Sequence, residues 1–334
     1  VRITRILTLL LITCTMLAQG QVQQKQHARY ASFYIETRLQ PEQHITDSAP
    51  HTFSLNKVAF GAMLPLFDIQ ARPQYDSVLP ARFGLLLHPS LSYTRLGISY
   101  FPQERILVNS QVTLGGYYCF GQKNALNINL RGMYNEDEFT ISRAKLMYNF
   151  SGLYTRKVSR AFSYYLGGAY SYVFGEGLLL PLVGARVSWG RSSRLSMVLP
   201  LQVTYRTSLS ERMKLQVYAH PQGGINRFRN RLNVPDSTQD VVMFRHRALA
   251  LGAAFVWQVR NNVSLVVDPA VLLGQRIFIT KENSMPQEAF ADNTISRNLQ
   301  LQLRLIWRPW QNAMRNRKNA AEEHVDDDNI NRGF

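Results

Sequence analysis

The sequence predicts an all-β protein, a transmembrane antiparallel up-and-down β-barrel of about twelve strands, with fourteen as the alternative. Three observations predict it. Strand-length segments alternate apolar and polar residues from residue 52 to residue 308, aromatic residues recur near the ends of those segments, and an export signal leads the chain.

The amino end comes first. Arg2 and Arg5 supply a positive start, Ile6 to Leu17 an apolar core, and Ala18-Gln19-Gly20 a small-x-small cleavage site, so residues 1–20 are expected to be removed near Gly20. That core falls short of the ~20 residues a spanning helix needs. Cys14 leaves with it and only Cys119 remains, which permits no intrachain disulfide. After residue 20 no uncharged apolar run is long enough for a transmembrane helix, so a membrane crossing would require a closed barrel. Residues 21–51 are expected to form a periplasmic or plugging segment. Tyr30 to Leu39 could be a strand, but it would make the count odd.

Twelve segments follow, at 52–67, 84–100, 107–120, 124–134, 141–155, 161–174, 178–189, 194–206, 211–221, 241–258, 262–280 and 293–308. Each reaches the ~9–11 residues of a tilted membrane strand. Leu126, Ile128 and Leu130 oppose Asn127, Asn129 and Arg131, and Leu299, Leu301, Leu303, Leu305 and Trp307 oppose Asn298, Gln300, Gln302 and Arg304. Aromatics gather near segment ends (Tyr100, Phe101, Tyr117, Tyr118, Phe120, Tyr154, Phe162, Phe174, Trp189, Tyr205, Trp257, Trp307, Trp310), where an interfacial girdle requires them. A soluble sandwich shows the same period of two. The girdle and the export signal favour lipid.

The stretch from Phe174 to Arg206 is the plainest. From Arg194 on, Leu195, Met197, Leu199, Leu201, Val203 and Tyr205 fall on one face and Ser196, Val198, Pro200, Gln202, Thr204 and Arg206 on the other, which reads as one strand. Its blocks Phe-Gly-x-x-Leu-Leu-Leu-Pro-Leu-x-Gly (Phe174 to Gly184) and Leu-Pro-Leu-x-Val-x-Tyr-Arg (Leu199 to Arg206) resemble a family of uncharacterised outer-membrane β-barrel proteins of Gram-negative bacteria. The resemblance implies a fold and a location, and no activity.

Tight turns at Gly121 to Asn124, Gly175 to Gly177, Gly190 to Ser193 and Arg260 to Asn262 are rich in residues that tolerate positive φ. Counting back twelve strands from a periplasmic end places the long connections 68–83, 222–240 and 281–292 outside. The same count places 135–140, 175–177, 207–210 and 259–261 in the periplasm. The barrel is thus expected over 52–310, followed at 311–334 by a disordered polar tail with Glu322, Glu323, Asp326, Asp327 and Asp328.

The chain carries 38 Lys and Arg against 22 Asp and Glu, a formal +16. The cations are spread singly through alternating strands rather than clustered as a nucleic-acid stripe, so no nucleic acid is expected. Expected partners are outer-membrane lipids and lipopolysaccharide, the barrel-assembly machinery, and an anionic solute. The last follows from assigning polar faces inward, which puts Arg95, Arg131, Arg143, Lys145, Arg186, Arg206, Lys214 and Arg304 in the lumen against Asp268 as its clearest acid. Those cations could equally be structural. No enzyme, cofactor or metal motif stands out. A rim hydrolase would have to draw on His220 and His246, with Asp236 and Asp240 between them and Asp68, Asp76, Glu282 and Asp292 elsewhere on the rim, but no spacing ties these into a triad. A soluble exported β-protein that binds a partner is a further alternative.

Overall fold

The computed structural model describes residues 31–45, 51–70, 82–98, 105–120, 123–137, 146–190, 192–229, 241–281, 289 and 291–309. The signal segment expected at 1–20 and the polar tail expected at 311–334 lie outside these residues. The chain is a closed antiparallel barrel of fourteen strands: β1 (Ser32–His44), β2 (Thr52–Gln70), β3 (Arg82–Ile98), β4 (Arg105–Phe120), β5 (Asn124–Glu136), β6 (Met147–Lys157), β7 (Phe162–Ser171), β8 (Leu178–Trp189), β9 (Ser193–Leu199), β10 (Gln202–Ser208), β11 (Met213–Arg229), β12 (Val241–Arg260), β13 (Val263–Lys281) and β14 (Ala291–Trp307). Each strand pairs with its neighbours in sequence. Pairing of β1 with β14, from Phe33↔Trp307 to Leu39↔Leu301, closes the ring and leaves no free edge.

Two strands exceed the twelve expected. The first is β1, which is a stave of the wall and not a periplasmic or plugging segment: Ile35 and Leu39 face outward while Glu36 and Gln40 are buried. The second comes from residues 194–206, which are a hairpin and not one strand. Leu195 stands opposite Tyr205 and Met197 opposite Val203, and the amide of Leu201 bonds the carbonyl of Val198 to close the turn. Proline lacks the N–H that a central strand needs, so Pro200 marks the reversal. Three residues, 199–201, bridge the pair Val198↔Gln202. An odd bridge puts residues of equal parity opposite each other, on the same face, so alternation runs through the turn unbroken.

That reversal corrects the expected sidedness. One end of the barrel, here the terminal end, holds Ser32 and Trp307 together with the connections 71–81, 121–123, 158–161, 190–192, 209–212 and 261–262. The other, distal end holds 45–51, 99–104, 137–146, 172–177, 200–201, 230–240 and 282–290. Connections 230–240 and 282–290 therefore share an end, as expected, but 71–81 lies opposite them. Likewise 137–146 and 172–177 lie opposite 209–212 and 261–262, whereas one strand at 194–206 would have grouped them.

The outer face is an apolar belt in which Phe60, Leu130, Phe150, Leu166, Val183, Val217, Phe255 and Leu303 are all exposed. Aromatics ring its terminal edge. Tyr118, Phe120 and Tyr154 stack in series at 5.7 and 6.1 Å, Phe33 meets Trp307 at 5.7 Å, and Trp189, Trp257 and Trp307 are each about half exposed. Apolar outside with an aromatic rim is the arrangement a barrel needs in lipid, where no bulk water rewards exposed polar groups.

The wall is unequal in height. Strands β9 and β10 have 7 residues each and β7 has 10, whereas β2, β12 and β13 have 19 or 20. Above the short staves the long ones lean together. Arg227 of β11 pairs with Glu136 of β5, Asp137 donates its amide to the Arg227 carbonyl at 3.1 Å, and the two side chains form an ion pair at 2.6 Å. The strands β1–β5 and β11–β14 thereby form a narrower upper ring.

Candidate functional site

The interior changes character along the axis. In the upper ring Ile45, Phe53, Leu55, Leu96, Ile98, Leu107, Phe228, Phe244, Ile277, Ile279 and Ile295 form one buried apolar cluster, with Phe228 and Phe244 edge to face at 5.7 Å. This is an apolar cap across the distal end. A second cluster of Met133, Met147, Ile225 and Met243, with Tyr172 against it, lies beneath the β5–β11 seam. The 172–177 connection folds against the same wall. Arg245 donates to the Gly175 carbonyl at 3.4 Å, and a Cβ on Gly223 would meet the Val173 carbonyl oxygen at 2.4 Å, so only glycine admits the loop there. Burial, with the Tyr170 hydroxyl beside it, pushes the Tyr172 phenol up to about 12, so it is neutral at physiological pH.

Below the cap the lumen is mixed: Tyr218, Ala250, Ala254, Val266 and Leu272 belong to one buried apolar cluster and Tyr165, Ala169, Leu182 and Val198 form another, and a polar network stands beside them. Glu36 of β1 accepts Nε of Arg304 at 2.8 Å and its NH2 at 2.6 Å, while Arg38 approaches at 3.5 Å and also donates to Gln302 at 3.1 Å. Lys57 lies opposite Arg38 on β2. The Arg304 guanidinium covers the Tyr34 ring at 5.5 Å, and the Tyr34 hydroxyl meets His88 Nε2 at 3.1 Å. Gln300 accepts from both Gln40 and Gln222, at 3.0 and 2.9 Å. Tyr218 donates to Asp268 at 2.7 Å. Around Glu36 and Asp268 thus stand Arg38, Lys57 and Arg304, while Arg131, bonded to Thr113 at 3.1 Å, faces Tyr34 and Lys57 from β5. Two carboxylates face three cations.

The predicted lumen residues divide. Arg131, Arg186, Arg206, Lys214 and Arg304 lie on inner faces, with Arg186 over the Tyr165 ring at 5.6 Å and Arg206 donating to Gln216 at 2.5 Å. Arg143 and Lys145 lie outside the described residues. Arg95, expected in the lumen, is instead exposed on the outer face, flanked by inward Thr94 and buried Leu96. In the cap the rule of polar inside is inverted: Leu96 and Ile98 point in, so Arg95 points out. Sequence reasoning missed Glu36, Arg38 and Lys57. The i, i+2 pair Glu36-x-Arg38 on an alternating segment would have marked them had β1 been counted in the wall.

The histidines do not meet at a rim. His220 faces the interior, stacked on Tyr218 at 5.0 Å and donating Nδ1–H to the Pro221 carbonyl at 3.0 Å. His246 lies one strand over and nearer the cap, opposite Gly224 and 5.7 Å from Phe244. Asp292 pairs with Arg276 on the exposed face, and Asp76, Asp236, Asp240 and Glu282 lie outside the described residues. The side chain of Asp68 does too.

Among solved structures, the barrel is similar to an outer-membrane channel from Pseudomonas putida F1, at 10% identity and TM-score 0.43, covering 83% of this chain and 93% of that one. It is also similar to the β domain of the Bordetella autotransporter BrkA, at 10% identity and TM-score 0.31 over 83% and 99% of the two chains. The transport unit of the Escherichia coli autotransporter AIDA-I gives 8% identity and TM-score 0.31 over 88% and 96%. No curated protein matches the sequence. Residues 85–304 match the domain of unknown function DUF6268, and the chain belongs to that family.

Proposed function

We propose that this protein is a bacterial outer-membrane barrel, exported behind a cleaved signal, whose cationic lumen receives small anionic solutes and whose apolar cap controls their passage. One observation carries the reading: Arg38, Lys57 and Arg304 stand about two carboxylates in a confined space, with Arg131 on the same inner wall. In such a space the effective dielectric is low, and surplus positive charge raises the potential seen by an entering anion. On this reading solutes enter from the terminal end, and the apolar cluster at the distal end is the barrier they meet. Its partners on this reading are outer-membrane lipids with lipopolysaccharide on the apolar belt and the barrel-assembly machinery during insertion. The role is non-enzymatic, a reading supported by the engagement of His220 with a backbone carbonyl and a ring.

The test is flux from liposomes holding the full mature chain. Chloride should leave faster than potassium. Phe53→Ala with Phe244→Ala should raise the flux and keep the preference. Faster potassium, or a cap variant that folds and carries no more than the unmodified protein, would overturn the proposal.

A further inference from the structure

The outer face is not evenly convex. Between β14 with β1 on one side and β9 with β10 on the other, it sinks into an apolar hollow of about 820 Å³. Small residues make its floor, Ala219 on β11, Ala253 on β12 and Pro269 on β13, and larger ones, among them Leu39, Leu301 and Tyr205, make its flanks. The β12–β13 ladder is interrupted at the same place, between Gly252↔Ala270 and Phe255↔Val267, where Pro269 has no N–H to offer it. The volume falls within the ~300–1,000 Å³ of ligand sites. Residues of seven strands line the hollow. One acyl chain laid along a strand covers little more than the ~4.8 Å between neighbouring strands, so there is breadth for several chains side by side.

A second observation stands at the distal end of the hollow, on two of the strands that floor it. Arg247 of β12 is paired in register with Arg276 of β13, and both guanidiniums lie over the Phe278 ring, at 5.3 and 5.1 Å. An extra residue at Gly274, whose φ is +57°, shifts the β13 register so that Arg276 shares the outer face with Arg247. On that face only Leu249 and Leu273, themselves paired, separate the two arginines from the hollow. Asp292 pairs with Arg276 and leaves Arg247 without a carboxylate among the described residues. Like charges placed directly opposite on one face of a sheet are unfavourable, and here two share a single acid.

We infer that the hollow together with Arg247 and Arg276 is a docking site for a phosphorylated, multiply acylated lipid, the chemistry of the lipopolysaccharide anchor. Its acyl chains lie on Ala219, Ala253 and Pro269, and a phosphate sits at the two guanidiniums. Adjacent guanidiniums offer paired N–H donors to phosphate oxygens, and the Phe278 ring holds both in place. A zwitterionic headgroup brings its own cation and gains less. The end of the barrel also fits. Connections at the terminal end are short apart from 71–81, and those at the distal end are long apart from 199–201. Outer-membrane barrels keep short turns in the periplasm and long loops outside, which sets the arginines at the headgroups of the external leaflet. This inference rests on the proposed reading of the belt as lipid-facing in the outer membrane, and adds which lipid is held and where.

Native mass spectrometry of the refolded full mature chain in a maltoside detergent tests it, with diphosphorylated lipid A and dioleoyl phosphatidylcholine as probes. One lipid A should be retained per chain, about tenfold or more tightly than phosphatidylcholine, and Arg247→Gln or Arg276→Gln should weaken it by about tenfold each. Ala253→Trp fills the floor from the lipid side, where added apolar bulk leaves the interior untouched, and should weaken lipid A several-fold with no loss of thermal stability. That variant keeps the test open if the arginine variants misfold. Lipid A held no more tightly than phosphatidylcholine, or held equally by all three variants, would overturn the site. Dioleoyl phosphatidylglycerol matching lipid A would overturn the assignment to lipopolysaccharide. A dimer in lipid-free detergent that Ala253→Trp dissociates would overturn it too, making a second copy the occupant. Chloride preference in the liposome flux without lipid A preference would defeat this inference and leave the proposed function standing. Lipid A binding with faster potassium would do the reverse.

Discussion

Glu36→Gln is the substitution that strains the lumen most for the smallest change of shape. The Glu36 carboxylate is 7% exposed and is held by Arg304 at 2.6 and 2.8 Å, with Arg38 at 3.5 Å and Lys57 one strand away. Removing one partner of a buried ion pair commonly costs about 3–5 kcal/mol, because the other charge stays behind uncompensated. Here the Arg304 side chain is 37% exposed and Arg38 21%, so water takes up part of that charge. The cost should fall to about 2–3 kcal/mol. Equilibrium urea unfolding of protein folded in detergent or lipid measures it as a lowered midpoint at unchanged slope. The double variant Glu36→Gln with Arg304→Gln should recover about 1–2 kcal/mol of the summed single losses, since the stranded cation is then gone. A loss below about 0.5 kcal/mol, or strict additivity, would refute the claim that this carboxylate holds the cations together.

Three more outcomes follow from the architecture. Phe244→Ala, deleting a fully buried ring of the cap, should cost about 3–5 kcal/mol in the same urea assay, and Leu303→Ala on the exposed belt much less. Leu301→Arg at mid-belt should cost about 2–4 kcal/mol and Leu305→Arg near the aromatic rim about 0–1, so equal costs would mean that the belt does not sit in lipid as placed. Gln302 is a poor lumen control for such a series, because its side chain is buried and already accepts from Arg38. Single cysteines at Arg160, Ser210 and Glu176 report sidedness: a membrane-impermeant thiol reagent should label the first two from one side of the membrane and the third from the other. Labelling of Glu176→Cys and Ser210→Cys from the same side would mean that 194–206 is a single strand after all.

What the sequence revealed and what it concealed have physical causes. The apolar belt was legible because a strand's period of two writes it at every second residue, as at Leu299, Leu301, Leu303 and Leu305. The hairpin at Pro200 was concealed by the same period, since a three-residue bridge preserves parity and only the proline signals a reversal. The one miscounted strand then inverted the sidedness of everything before it. Arg95 was misplaced because the polar-inside rule assumes a wet or polar lumen throughout, and the cap packs Leu96, Ile98 and Leu107 inside instead. Of the cationic lumen, Arg131, Arg186, Arg206, Lys214 and Arg304 could be read from alternation alone. The Glu36 centre could not, because its strand had been set outside the barrel, and no spacing rule brings residue 36 next to residue 304 until the ring is closed.

The measurement that bears most directly on the account is the zero-current potential of the cap-opened variant, Phe53→Ala with Phe244→Ala, in a planar bilayer under a potassium chloride gradient. A lumen dominated by Arg38, Lys57, Arg131 and Arg304 should give a potential with the sign of chloride selectivity, and adding Arg131→Glu should move it toward zero or past it. A potential with the sign of potassium selectivity, or one that Arg131→Glu leaves unchanged, would contradict it.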